Sequence, residues 1–293
     1  MDRRRFLASA ALLPAISDAR ESQAAPLTVA SVKRKQLARV AKIGIAFGGG
    51  SVHGMAHIGV LKALMEKRLD YQLITGTSAG AIIGALTAAK LPFSEIDKFA
   101  RQVEWPGVTS FAWSGKGLLQ HSKLRTLIDH ALGGRDLSAL AIPFGAIATD
   151  IKTGERVILR SGSAAAAISA SCSVPVVFEP VRIDERDLVD GGLTEPVPVI
   201  ALREMGADFV IGVDLAFRPS EDAFQGLIDT AFQTMHIMAN ALANLQIKQA
   251  DVAIRMNVHH FIGKENANEQ LVAAGYAAAM AAWPEMAAKL SKH

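Results

Sequence analysis

Short apolar runs alternate with longer stretches of helical period along most of this chain. Ile43-Gly44-Ile45-Ala46-Phe47 has no polar side chain, the pattern of a strand buried on both faces. From Met55 to Lys67 the residues Met55, Ile58, Leu61, Leu64 and Met65 fall on one stripe, which predicts a helix with that face in the core. A second apolar run, Tyr71 to Ile74, leads to the helix-like Ala81-Ile82-Ile83-Gly84-Ala85-Leu86. The pattern further predicts a helix from about Ser122 to Leu132, and strands at Leu188-Val189 and Val252 to Ile254. Alanine- and methionine-rich helices follow over Phe232 to Leu245 and Gln270 to Leu290. Strand and helix signals in alternation predict an α/β fold with a mostly parallel central sheet sandwiched by helices. At 293 residues, half of them hydrophobic, the chain can bury one large core but not comfortably two.

The junctions between these elements carry the chemistry. Gly76-Thr77-Ser78-Ala79-Gly80 joins a strand to a helix, where a serine between glycines can sit on a sharp turn with its hydroxyl lifted above the sheet. Glycines there keep Cβ atoms out of the turn, and the following helix directs the positive end of its dipole at any oxyanion that attack creates. The same five residues also suit an ordinary turn, with Ser78 as a helix cap.

Upstream, Gly48-Gly49-Gly50-Ser51-Val52-His53-Gly54 is a glycine-rich loop between a strand and a helix. Consecutive glycines expose backbone N–H groups that bind anions, and beside a nucleophilic serine that anion is a tetrahedral oxyanion. Dinucleotide binding fits poorly, because His53 stands where the G-x-G-x-x-G pattern needs its third glycine. The acidic residue of that pattern is also misplaced, since Asp70 precedes the second strand. A third signal, Leu188-Val189-Asp190-Gly191-Gly192, ends a strand in an aspartate and two glycines. Asp190 is either a turn former or a carboxylate whose burial would raise its proton affinity enough to accept the Ser78 proton.

Taken together, these residues resemble a bacterial patatin-like phospholipase, of the branch related to neuropathy target esterase. The resemblance runs from about Lys42 to about Met280. It includes Ala56-His57-Ile58-Gly59-Val60-Leu61, Gly117-Leu118-Leu119, Ala148-Thr149-Asp150, Ala170-Ser171-Cys172-Ser173-Val174-Pro175, Pro196-Val197-Pro198 and Ala274-Gly275-Tyr276. What the resemblance implies is a single α/β patatin-like domain with a serine-aspartate dyad, Ser78 as nucleophile and Asp190 as general base, and no catalytic histidine. Backbone N–H groups of Gly49, Gly50 and Ser51 would form the oxyanion hole, with His53 supporting it. Gly48, Gly54, Gly76, Gly80, Gly191 and Gly192 are the motif glycines. The implied substrates are phospholipids, lysophospholipids or related acyl esters, met in transient contact with a membrane surface, and no metal or other cofactor is required. Two positions depart from the family pattern: His53 stands where arginine or lysine is usual, and Ser51 where glycine is usual. His53 either hydrogen-bonds the loop backbone in place of the usual cation or weakens the oxyanion site and makes it pH-dependent. The two departures, His53 above all, are the support for an alternative, a family-like protein that binds lipid without hydrolysing it. A conventional serine esterase would add a histidine, for which His236, His259 and His260 are the candidates. His236 lies inside a helical run and the pair follows a strand, so none has an evident loop at the catalytic rim.

Composition changes this picture little. The net charge of +3 is unremarkable, and the lack of zinc-ligand spacing, the lack of a basic recognition helix and only two tyrosines argue against nucleic acid as a partner. Cys172 is the only cysteine, so no intrachain disulfide forms, and its small neighbours suit a core residue. Arg3-Arg4-Arg5-Phe6-Leu7, a short apolar stretch and small residues near position 25 fit a twin-arginine signal over 1–25 and export to the periplasm. The alternative is a cytoplasmic or peripheral membrane protein with a basic N-terminus. A basic linker over 26–41 then precedes the domain at 42–293. Trp105 to Trp113, beside glycine hinges, suit either a lid or a packed loop.

Overall fold

The computed structural model describes residues 41–103, 110–111, 119–120, 122–215, 226–258 and 266–292. The signal segment, residues 26–40 of the basic linker, Trp105, Trp113, His259 and His260 lie outside the described residues. In chain order the elements are β1 (Ile43–Phe47), α1 (Met55–Glu66), β2 (Leu73–Thr77), α2 (Ala79–Ala88), α3 (Phe93–Gln102), β3 (Ser110–Phe111), β4 (Leu119–Gln120), α4 (Ser122–Leu132) and β5 (Phe144–Asp150). They continue with β6 (Arg156–Leu159), α5 (Ala164–Ser171), β7 (Val181–Ile183), β8 (Arg186–Asp190), α6 (Val199–Glu204), β9 (Phe209–Asp214), α7 (Leu227–Gln246), β10 (Val252–Arg255) and α8 (Ala267–Leu290).

The main sheet runs β10-β9-β1-β2-β5-β8-β7, with β6 also paired to β5. From β10 to β5 every pairing is parallel, and the apolar runs of β2, β5 and β9 are buried at every position, as strands covered on both faces must be. Beyond β5 the sheet changes character. β6 and β8 lie antiparallel to β5, and β7 lies antiparallel to β8. The strand that ends in Asp190 therefore enters the sheet against the direction of the strands beside it. β3 and β4 form a separate antiparallel pair.

The register decides the site. Thr77 pairs with Ile147 across β2 and β5, while Ala148, the next residue of β5, pairs with Asp190 of β8. Ser78 follows Thr77, so Ser78 and Asp190 stand at the same level of the sheet on either side of β5. The loops after β1 and β2 leave the C-terminal ends of adjacent parallel strands, the edge where open α/β sheets hold their ligands.

Helix α1 packs so fully that the predicted single stripe understates it: residues 55–61, 63 and 64 are all buried. Met65, expected on the core stripe, is instead 44% exposed, while Leu64 beside it is buried. Among the described residues, no helix is long and apolar enough to cross a membrane.

Candidate active site

Ser78 joins β2 directly to α2 with φ 52° and ψ −122°, a conformation that costs an L-residue of order 1–3 kcal/mol and that persists only where the surroundings enforce it. The surroundings leave little freedom. A Cβ on Gly80 would lie 2.2 Å from the Phe47 carbonyl oxygen, and one on Gly76 would lie 2.4 Å from the Gly80 carbonyl oxygen. Only glycine lets α2 start this close to the end of β1. Ser78 is held from below by its own N–H, which donates to Ser171 Oγ at 2.9 Å.

The same turn at the end of α5 also fixes the carboxylate. Asp190 N–H donates to the Ser173 carbonyl at 2.9 Å, and Ser173 Oγ donates to the Ser169 carbonyl at 2.9 Å. Asp190 Oδ1 accepts the Gly192 N–H at 2.7 Å, so the aspartate does shape the turn after β8. Its Oδ2 is buried and, among the described residues, meets no donor in full hydrogen-bond geometry, the Ser78 hydroxyl being the group that approaches it. Burial lifts the Asp190 pKa to about 6, opposed by the Gly192 N–H and by the Ser78 hydroxyl. Cys172 lies between the two serines of this turn, fully buried. Burial and the nearby Asp190 charge raise its thiol well above the usual range, with a hydrogen bond to the Ser78 side chain opposing.

The glycine-rich loop divides its amides. Gly48 N–H donates to the Val213 carbonyl at 2.9 Å, and Gly49 N–H donates to the Pro196 carbonyl at 2.8 Å. Gly49 therefore cannot supply the oxyanion donor expected of it: its N–H is spent on anchoring the loop. Gly50 and Ser51 line the pocket beside Ser78, and among the described residues no acceptor takes their N–H groups. Ser51 holds φ 48°, the left-handed region that glycine occupies without a Cβ penalty. This accounts for the glycine usual at that position. From His53 the chain enters α1 through a tight turn over Ser51–Gly54.

Two buried histidines brace the loop. His53 is 1% exposed, with Nδ1 3.0 Å from the Gly50 carbonyl oxygen, so its ring donates to the loop backbone. His57, to which sequence reasoning gave no role, sets Nε2 2.7 Å from the Gly48 carbonyl oxygen and stacks edge-on against Phe47. Complete burial drives the His57 pKa down to about 4, so the ring is neutral and Nε2 carries the proton given to Gly48.

Ser78, Asp190, Gly49, Gly50, Ser51 and Gly192 line one pocket of about 120 Å³. Val174, Pro175, Leu193, Pro196 and Val197 form apolar wall, and α7 closes another side with Phe232, Met235, His236, Ala239, Asn240 and Ala243. His236 thus reaches the catalytic rim from within a helix, contrary to the expectation that a rim histidine needs a loop. Burial and the charge of His53 lower its pKa. Among the described residues, no group of three or more His, Cys, Asp or Glu side chains is placed to hold a metal ion.

Comparison with known proteins adds the following. A family model described as patatin-like phospholipase matches residues 45–203. An uncharacterized NTE family protein of Mycobacterium tuberculosis is 33% identical over 180 residues, covering 59% of this chain and 49% of that protein. Lysophospholipase NTE1 of Candida glabrata is 27% identical over 179 residues, covering 59% of this chain and 10% of that protein. The chain thus spans about half the length of its mycobacterial relative. Among solved structures, VipD from Legionella pneumophila shares the fold with a TM-score of 0.57 at 14% identity, over 87% of this chain and 67% of that one.

Proposed function

The chain belongs to the patatin-like phospholipase family, and on that premise we propose that it hydrolyses lipid acyl esters with Ser78 and Asp190 as a two-residue machine. The observation that carries this reading is a buried carboxylate with one oxygen tied to Gly192 and the other left for the Ser78 hydroxyl. Asp190 accepts the Ser78 proton as Oγ attacks the ester carbonyl, and the negative charge that forms on the carbonyl oxygen is met by the Gly50 and Ser51 N–H groups and the N-terminal end of α2. The protonated Asp190 then gives its proton to the departing alcohol, leaving an acyl-serine. Water attacks that ester, Asp190 takes the water proton, and Ser78 leaves with it restored. A pKa of about 6 suits both halves of the cycle: the group is ionised at pH 7, yet is a far stronger base than an exposed aspartate. The apolar walls suit an acyl chain, and the substrates are phospholipids, lysophospholipids or related acyl esters; the name of the Candida relative states the lysophospholipase activity for that protein.

Ser78→Ala and Asp190→Asn should each lower kcat by roughly a thousandfold or more, with the double variant little worse than either, because the pair acts as a unit. In the wild type, kcat/KM should rise with pH through about 6 as Asp190 ionises. Fluorophosphonate labelling at a serine other than Ser78, or activity in Ser78→Ala, would refute the assignment.

A conventional triad gains one observation, the presence of His236 in the pocket. Against it, the interaction felt by Asp190 comes from Ser78 itself, and the charge felt by His236 comes from His53. His236→Gln should keep kcat within about tenfold of wild type, whereas a triad histidine would cost about a thousandfold or more.

A further inference from the structure

Helix α7 is apolar on two faces. Phe232, Met235, Ala239 and Ala243 turn inward at helical spacing and line the Ser78 pocket. Away from them, Ile237 is 54% exposed, Met238 61% and Leu245 62%, with Ala241 also exposed among them. From Thr230 to Ile247 the chain has no Asp, Glu, Lys or Arg, although the solvent face of a surface helix ordinarily carries such residues. Val176 adds to the pattern: it follows the pocket residue Pro175, is 42% exposed, and holds φ 72°, a strained conformation for a β-branched residue. Of the six large hydrophobic side chains exposed among the described residues, four therefore belong to α7 or adjoin a residue of the pocket wall. The family match stops at residue 203, before α7 begins.

We propose that the outer face of α7 is the surface on which the protein docks to a lipid aggregate, so that a single helix separates the Ser78 pocket from the source of its substrate. The proposal rests on the lipid-ester reading above and specifies how that substrate is reached. The size of the patch favours lipid over a second copy of the chain. From Met238 to Leu245 the stripe is about 10 Å long and one helix wide, whereas a stable protein interface covers about 800 Å² on each partner. A lipid surface sets no such minimum, since an uncharged helix face can sink about 5–10 Å into the boundary between headgroups and acyl chains. Because one helix carries both faces, an acyl ester could pass from the aggregate to Ser78 along α7 without first crossing bulk water.

The test separates docking from catalysis by measuring partition on the full chain carrying Ser78→Ala, using flotation with dioleoylphosphatidylcholine vesicles. Adding Ile237→Glu, Met238→Glu and Leu245→Glu together should weaken partition at least tenfold, while Ala241→Trp should strengthen it. With Ser78 intact, the triple variant should lose vesicle hydrolysis in proportion but hydrolyse a water-soluble p-nitrophenyl ester within twofold of wild type, which also certifies its fold. The proposal is overturned if the parent chain does not float, if partition is indifferent to both sets of substitutions, or if light scattering finds a dimer that the triple variant splits. Absence of hydrolysis with normal, α7-dependent partition would instead sink the function and leave the docking surface standing.

Discussion

Asp190 is a residue whose chemistry and whose contribution to stability pull in opposite directions. Its folded pKa of about 6 exceeds the ordinary 3.8, so the folded protein holds a proton there that the unfolded chain has released. Stability from this group is fully present below about pH 4 and is lost as pH rises through about 6, a cost on the order of 3 kcal/mol at neutral pH. Asp190→Asn keeps an oxygen for the Gly192 N–H and removes the charge. The variant should therefore be more stable than wild type at pH 7–8, with the gain shrinking toward zero at pH 4, as urea denaturation at several pH values would measure. His57 has the opposite slope. Its folded pKa of about 4 lies below 6.5, so its contribution falls as pH drops from 6.5 to 4. In wild type the two slopes partly cancel between pH 4 and 6, and Asp190→Asn should uncover the His57 slope as a steeper loss of stability on acidification. The base of the proposed dyad is thus kept at the expense of the fold, a pattern common to functional sites.

Among elements, α1 and α8 share the most extensive helix–helix contact in the described chain, and two glycines permit it. A Cβ on Gly59 would lie 1.9 Å from the Val272 carbonyl oxygen, and one on Gly275 would lie 1.9 Å from the Ala56 carbonyl oxygen. Each glycine faces the backbone of the other helix, so neither clash can be relieved by a side-chain rotation. Tyr276 Oη adds a hydrogen bond to Glu66 at 2.7 Å on the outer side of the same crossing. Gly275→Ala should cost about 2 kcal/mol or more by forcing the helices apart, seen as a fall in Tm of about 4 °C or more. Because α1 continues from the glycine-rich loop, whose Gly48 carbonyl is held by His57 of that helix, the displacement should also lower kcat on a soluble ester.

At the scale of the whole molecule, Glu195 ties the parallel and antiparallel parts of the sheet to the site. It is 1% exposed, and its Oε1 accepts the N–H groups of Ile200 and Ala201 at the start of α6, at 2.7 and 3.0 Å. Oε2 accepts from Arg156 of β6 at 2.8 Å, and Arg156 also binds Glu204. The Glu195 carbonyl accepts a hydrogen bond from the hydroxyl of Thr77, the residue before Ser78, at 2.7 Å. Burial raises the Glu195 pKa, and the α6 amides and Arg156 oppose it. Arg156→Met leaves this carboxylate buried without its cation and should cost about 3–5 kcal/mol. The loss should be largest near pH 8, ease as acid protonates Glu195, and be partly recovered by adding Glu195→Gln, all measurable by chemical denaturation.

Local signals in the sequence determined the parts. The uninterrupted apolar run of β1 and the glycine-serine-glycine junction at Ser78 are read from neighbours in the chain, because strand burial and turn sterics depend on adjacent residues. That is why the elbow, the α/β class and the helices α1, α4, α7 and α8 were legible. The strand-end pattern at Asp190 left it as either a turn former or the base for Ser78, and the resemblance to a family implied the second. Tertiary structure decided the rest. The antiparallel entry of β8 and its register on β5 set Asp190 level with Ser78, and hydrogen-bond register across strands distant in sequence leaves no trace in either segment alone. The fate of the Gly49 N–H was equally hidden, since its acceptor at Pro196 comes from another part of the chain. So were the two tasks of the turn after α5, where Ser171 and Ser173 carry no local signal of a role until the fold sets them against Ser78 and Asp190. Short-range sterics are written in consecutive residues; which amide is spent, which carboxylate is desolvated and which helix face meets the pocket depend on partners that only the folded chain brings together.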